Sequence, residues 1–275
     1  MKNSMKKTVA IIIAMLTIGF TAFVIKNYQN NLKKREFQQN EKLNKDKNSL
    51  KNDSEIKVQG EEKVNQIIDK DNQSKSLDSS AINEVSKSKI LQIRPDDFIV
   101  GDKNAKIAII EYASLSCPHC ANFHSEAFDK LKTEYIDSGK AVFVHRDFIL
   151  NQPSLIASMF LICQAEDNAS NAVEKYYSTL KALFKTQSSW AFDPKFIDKL
   201  KSIAQLDSMA PERFTACVNN GKLQEKILNN FIEARKALKL ESAPTFFING
   251  EVSQGYIDYL TIKKIIDRQL AEPKK

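Results

Sequence analysis

Cys117 and Cys120 stand two residues apart in SLSCPHCANFHSEAF, residues 114–128, with Pro118 and His119 between them. Three chemistries use such a pair. A zinc site needs four ligands, commonly a second C-x-x-C or two added histidines. No second C-x-x-C exists, and His119, caught between the cysteines, is badly placed to meet the same ion, so no metal is expected. A structural staple fails on magnitude: closing a four-residue ring gives roughly 2 kcal/mol, against roughly 4 kcal/mol for the loop that Cys163 and Cys217 would close. A redox pair remains.

The surroundings give that reading a mechanism. The cysteines follow an apolar run, KIAIIEYA at 106–113, and open a stretch of helical periodicity carrying Phe123, Ala127, Phe128, Leu131 and Tyr135, ended by Gly139. A strand running into a helix start exposes free backbone N–H groups and the positive end of the helix dipole, both of which favour a thiolate. Cys117, at the outer end of the turn, is the expected low-pKa nucleophile. Cys120, one turn deeper, is the expected resolving thiol. Pro118 suits a first helical turn. His119 can add charge or a hydrogen bond to the Cys117 thiolate, which would make the disulfide a stronger oxidant. Far along the chain, Pro244 in ESAPTFFING precedes another strand. In the cis form it would set a backbone edge beside the dithiol for an extended peptide; in the trans form it is an ordinary strand-start proline.

The positioning elements follow from the apolar pattern. KAVFVHRDFIL, from Lys140, reads as a second buried strand. Residues 152 to about 240 carry only helical stripes, with Pro194 and Pro211 suiting first-turn positions. Strand signals return at 244–250 and in EVSQGY, before a last amphipathic helix, IDYLTIKKIIDRQL. The order of strand, helix, strand, helical block, two strands and helix is an α/β arrangement with an all-helical insertion. Cys163 and Cys217 fall on separate helices of that insertion and are expected to form a structural disulfide, the alternative being two buried thiols. His124 and His145 are assigned ordinary places, on a helix surface and at a strand end.

Lys2, Lys6 and Lys7 precede an uncharged run from Thr8 to Ile25, a pattern of export or membrane insertion. The run reaches the ~17–25 residues that span a bilayer and no A-x-A site follows it, so residues 1–26 read as an uncleaved anchor, with a cleaved signal peptide as the alternative. Residues 27–90 are polar and read as a flexible tether spanning roughly 45 Å as a coil. Residues 91–275 form the expected folded domain, with 24 basic and 23 acidic side chains. The net charge of +7 therefore sits mostly in the leading segments, and no basic stripe for nucleic acid is visible. Four cysteines in an exported chain suit a compartment where disulfides persist.

Taken together, EYASLSCPHC with an acid six residues before the first cysteine, the helical insertion, and Ala-Pro-Thr before a strand ending in Asn-Gly resemble the DsbA-like thiol–disulfide oxidoreductases across about residues 95–271. The resemblance implies a thioredoxin fold with an inserted helical domain, a periplasmic monomer, soluble or tethered by residues 8–25, and oxidation of reduced exported proteins. It implies reoxidation by a quinone-linked membrane oxidase of DsbB type, without an organic cofactor. It gives Cys117 as nucleophile, Cys120 as resolving cysteine, His119 as thiolate tuner and Pro244 as cis proline. Glu111 matches the acid below the dithiol, a proton relay for Cys120, with a surface or paired carboxylate as its plainer role. Ala243 departs from the pattern, since the best-known oxidases carry a branched residue before the proline. The same fold run as a reductase or isomerase, or a tethered binding module without turnover, are the rival readings.

Overall fold

The computed structural model describes residues 89–272. The apolar segment of residues 8–25 and all but the last two residues of the 27–90 tether lie outside them. Among the described residues no helix is long and apolar enough to cross a membrane.

Five strands make one sheet in the order β1-β3-β2-β4-β5, where β1 is Ile99–Gly101, β2 Ile107–Ala113, β3 Ala141–Asp147, β4 Thr245–Ile248 and β5 Glu251–Gln254. β2 and β3 pair in parallel, and the other three pairs are antiparallel. β2 and β3 are buried on both faces, which is why their sequences read as apolar runs without alternation. Asn249 and Gly250 both take positive φ, 47° and 87°, as a two-residue hairpin between β4 and β5 requires. The Asn249 side chain accepts from the Ala108 N–H at 2.8 Å and donates to the Lys106 carbonyl, so the turn also fixes β4 against β2.

Helices cover both faces. α1 (Pro118–Glu126), α2 (Phe128–Leu131) and the C-terminal helix lie on one; most of the helical block between β3 and β4 lies on the other, while its second helix (Ala172–Lys185) reaches round to the first through Tyr177. The stretch from Cys117 to Gly139 departs from the single regular helix that its spacing predicts. It breaks at Ala127, whose φ is −114°, and widens into a π-helical turn at Lys132–Ile136. Side chains four apart drift about 40° around an ideal α-helix at every step. The break and the wide turn correct that drift and keep Phe123, Ala127, Leu131 and Tyr135 all buried.

The block consists of α3 (Gln152–Glu166), α4 (Ala172–Lys185), α5 (Phe196–Leu206), α6 (Pro211–Val218) and α7 (Gly221–Leu238), and α8 (Tyr259–Ala271) closes the chain. α3 starts at an Asn151–Ser154 capping box and is apolar around its circumference, so it is the central helix that the others surround. Pro211 is the first residue of α6, as expected, whereas Pro194 lies two residues ahead of α5. There Asp193 accepts from the Lys195 N–H, a turn that delays the helix. Before β1, Asp97 takes a two-point ion pair from Arg146 of β3, and Arg146 also donates to Tyr112 and to the carbonyls of Ile90 and Gln92. That buried network fastens the entry segment to the sheet.

Candidate active site

β2 ends at Ala113, and four residues later Cys117 is the N-cap of α1 in extended conformation, with Pro118 at the first helical position. The Cys117 side chain makes no regular capping bond, and its sulfur faces the first N–H groups of the helix, those of His119 and Cys120. Cys117 is 7% exposed and Cys120 is fully enclosed, and both are free thiols. Opposite them the Ala243–Pro244 bond is cis, and the Cys117 thiol donates to the Ala243 carbonyl at 3.3 Å. Two segments distant in sequence therefore converge: the turn from β2 into α1 and the loop before β4.

The two thiols are driven apart electrostatically. Cys117 is pulled down to about 6, chiefly by the hydrogen bond from the Cys120 thiol, then by the backbone N–H groups of Cys120 and His119 and the charge of His119, against partial burial. Cys120 is pushed far above the ordinary thiol range by burial, by its bond to Cys117 and by the charge of Glu111. One sulfur is thus ready to be an anion near neutral pH while its neighbour holds a proton, the asymmetry a dithiol exchange centre needs.

Thioredoxin is the family whose model matches the chain, over residues 94–268. A Rickettsia typhi chain with the provisional name protein-disulfide oxidoreductase is 31% identical over 74% of this chain and 75% of its own length. The crystal structure of Wolbachia pipientis alpha-DsbA1 is 32% identical and superposes with a TM-score of 0.62, covering 66% of this chain and 95% of the other. This chain is a DsbA-like thiol–disulfide oxidoreductase. Disulfide bond formation protein D of Bacillus subtilis is a more distant relative, 20% identical over 62% of this chain and 76% of its own.

Within this DsbA-like frame, most expected site residues meet. Glu111 is buried on β2, and its charge reaches Cys120. It is also a paired carboxylate, bonded to His124 Nε2 at 2.8 Å. His119 is exposed beside Cys117. Cys163 and Cys217 lie apart from the dithiol, where they join α3 to α6 as a disulfide with Cα atoms 6.2 Å apart.

One of the two remaining histidines departs from its expected place. His124 is buried rather than on a helix surface, because it lies four residues after Cys120 on the same inward face of α1. Its ring stacks on Phe184 with centroids 4.4 Å apart. His145 lies near the end of β3, as expected, and is buried there, with its Nδ1 2.8 Å from the Tyr176 hydroxyl. Gln187, in the turn after α4, has no sequence signal at all. Its amide donates to the carbonyls of Leu115 and Cys117 at 2.8 and 3.0 Å, tying the dithiol loop to the helical block.

Proposed function

We propose that this DsbA-like protein oxidises thiol pairs in exported proteins, with Cys117 as nucleophile and Cys120 as resolving thiol. The observation that carries the reading is the opposite displacement of the two thiols within one helical turn. A low Cys117 pKa stabilises the reduced enzyme, so the disulfide form gains by accepting electrons.

A substrate thiolate attacks Cys117 Sγ. The Cys117–Cys120 bond breaks, and its electron pair leaves on Cys120 Sγ, which takes up a proton. A second substrate thiolate then attacks the substrate sulfur of the mixed disulfide, and Cys117 departs as a thiolate. The substrate has lost two electrons; of its two thiol protons, one is matched on Cys120 and one passes to solvent. His119 stabilises the departing thiolate, and Glu111 serves the proton of Cys120. The Ala243–Pro244 edge holds an extended peptide beside the sulfur. A quinone-linked membrane oxidase of DsbB type restores the disulfide, and the protein works as a monomer in the periplasm or on its membrane surface. The export pattern of residues 1–26 supports that location.

The test is equilibration of the purified protein against glutathione buffers. A potential well above the −270 mV of thioredoxin is expected. A thioredoxin-like value would replace the oxidase with a reductase. Cys117→Ser separates both from a binding module, because it abolishes exchange in the first two and leaves binding intact in the third.

A further inference from the structure

Cys120 is fully enclosed, so the proton it gains and loses needs a route through the protein. A polar layer lies beside it. Glu111 and His145 are register partners on parallel strands, and their side chains leave the same face of the sheet. Over that face pack His124 from α1 and Tyr176 and Tyr177 from α4, with the ring of His124 6.3 Å from that of His145. His124 takes one oxygen of Glu111, and Tyr176 takes one nitrogen of His145. Two atoms are left over: Glu111 Oε1 and His145 Nε2 are buried and have no hydrogen-bond partner in the protein. Neighbouring strands lie about 4.8 Å apart, a separation across which one water can reach two such groups.

The far side of His145 leads outward. His145 and Tyr176 line a cavity of about 290 Å³, walled also by Asp147 and Arg146, that extends to the exposed residues Asp96, Glu166 and Lys226. Phe98 stacks on Tyr176 at 4.2 Å and holds the phenol in place at its edge. Burial and the neighbouring His124 push the His145 imidazole down to about 3, so it is neutral at working pH. A neutral imidazole can accept at one nitrogen and donate from the other, and a phenol can do both.

We propose that protons travel to and from Cys120 along a buried relay of Glu111, one bridging water, His145 and Tyr176 that ends in this cavity. The relay rests on the dithiol reading above. When the Cys117–Cys120 bond breaks, the Glu111 carboxylate takes a proton from the water and hands it to the Cys120 thiolate, so that it is a carboxylate again in the reduced protein. The water recovers one from His145, His145 one from the Tyr176 hydroxyl, and Tyr176 one from solvent in the cavity. Reoxidation runs the same transfers backwards, so no proton is created or stranded.

The decisive variant is Tyr176→Phe in the full chain, which keeps the ring stacked on Phe98 and removes only the hydroxyl. The oxidised protein is reduced with dithiothreitol in H₂O and in D₂O, and its thiol–disulfide equilibrium with glutathione is measured alongside. The relay predicts a reduction rate roughly fivefold lower, short of the 10²–10⁴ that a direct general acid supplies. It also predicts a larger solvent isotope ratio and an unchanged glutathione equilibrium. Tyr177→Phe, whose hydroxyl bonds only to backbone groups of Phe98, Phe143 and His145, should keep the parental isotope ratio. A parental rate and isotope ratio in Tyr176→Phe overturns the relay, as does an equal change in Tyr177→Phe. If Tyr176→Phe does not fold, His145→Gln is read in the same way. A parent that exchanges no thiols fails the dithiol reading itself, whereas an exchanging parent with an unaffected Tyr176→Phe fails the relay alone.

Discussion

The protein carries two cysteine pairs, and they occupy opposite kinds of place. Cys117 and Cys120 share one helical turn at the mouth of the sheet, as free thiols with one sulfur near the surface. Cys163 and Cys217 lie 54 residues apart in sequence and are both buried in the helical block, where their bond joins α3 to α6. The first pair closes almost no loop and restrains little; the second closes a long one. The first has a helix start and an imidazole beside it; the second lies within the apolar core of the helical block. Reactivity in this chain therefore follows from where a sulfur sits relative to a helix end and solvent, and stabilisation follows from how much chain a bond encloses.

The comparison breaks most visibly if the second pair is removed. Cys163→Ala with Cys217→Ala should cost about 4 kcal/mol of stability by the loop estimate, measured by denaturant unfolding. Dithiol exchange at 25 °C should stay within about twofold of the parent. A variant that keeps its stability but loses exchange would reverse the roles of the pairs.

Glu111→Gln keeps a partner for His124 but removes the charge that helps push the Cys120 thiol up. Reduction of the disulfide should slow by about a hundredfold, the low end for general acid–base participation, in stopped-flow assays. An unchanged rate would leave Glu111 a structural residue.

The pH dependence of stability sharpens the contrast further. Cys117 titrates near 6 in the folded reduced protein and near its ordinary value of 9.0 when unfolded. Between those values the unfolded chain binds the extra proton, so stability rises with pH. The contribution is complete above pH 9 and is lost as pH falls through 6. The disulfide form lacks this titration. The unfolding free energy of the reduced form minus that of the oxidised form should therefore climb between pH 6 and 9, with the thiolate worth on the order of 1 kcal/mol at pH 7. A flat difference across that window contradicts the assignment.

The smallest effect belongs to His119. It acts through its charge, the weakest of the influences on Cys117, while its backbone N–H survives any substitution. His119→Ala should raise the Cys117 titration by a few tenths of a unit, read from alkylation rates against pH. A rise of two units would transfer the main role from the helix start and the Cys120 bond to the imidazole.

Much of this was legible in the residues, for identifiable reasons. Buried strands with no alternation, a C-x-x-C where a strand meets a helix, and Asn-Gly at the end of a strand all leave local signatures, and each lies where the pattern places it. Contacts made by tertiary packing leave none. Gln187 reaches Leu115 and Cys117 across some 70 positions, and nothing in its own neighbourhood marks it. His124 was misplaced although its four-residue offset from Cys120 marked the inward face, because a polar residue was given to solvent. His145 lies near the end of its strand as the pattern places it, and only its contact with Tyr176 has no local mark. The break at Ala127 was invisible because an apolar spacing of four suits a regular helix for two turns and only then demands correction.

The most direct measurement is thiolate absorbance near 240 nm of the reduced protein as a function of pH, with Cys117→Ser as the blank. One ionisation centred near pH 6 is predicted, absent from the blank, and no second one below pH 9 from Cys120. A single step near the ordinary thiol value of 9 would mean that Cys117 is an unperturbed thiol, and the oxidative chemistry assigned to it would fall.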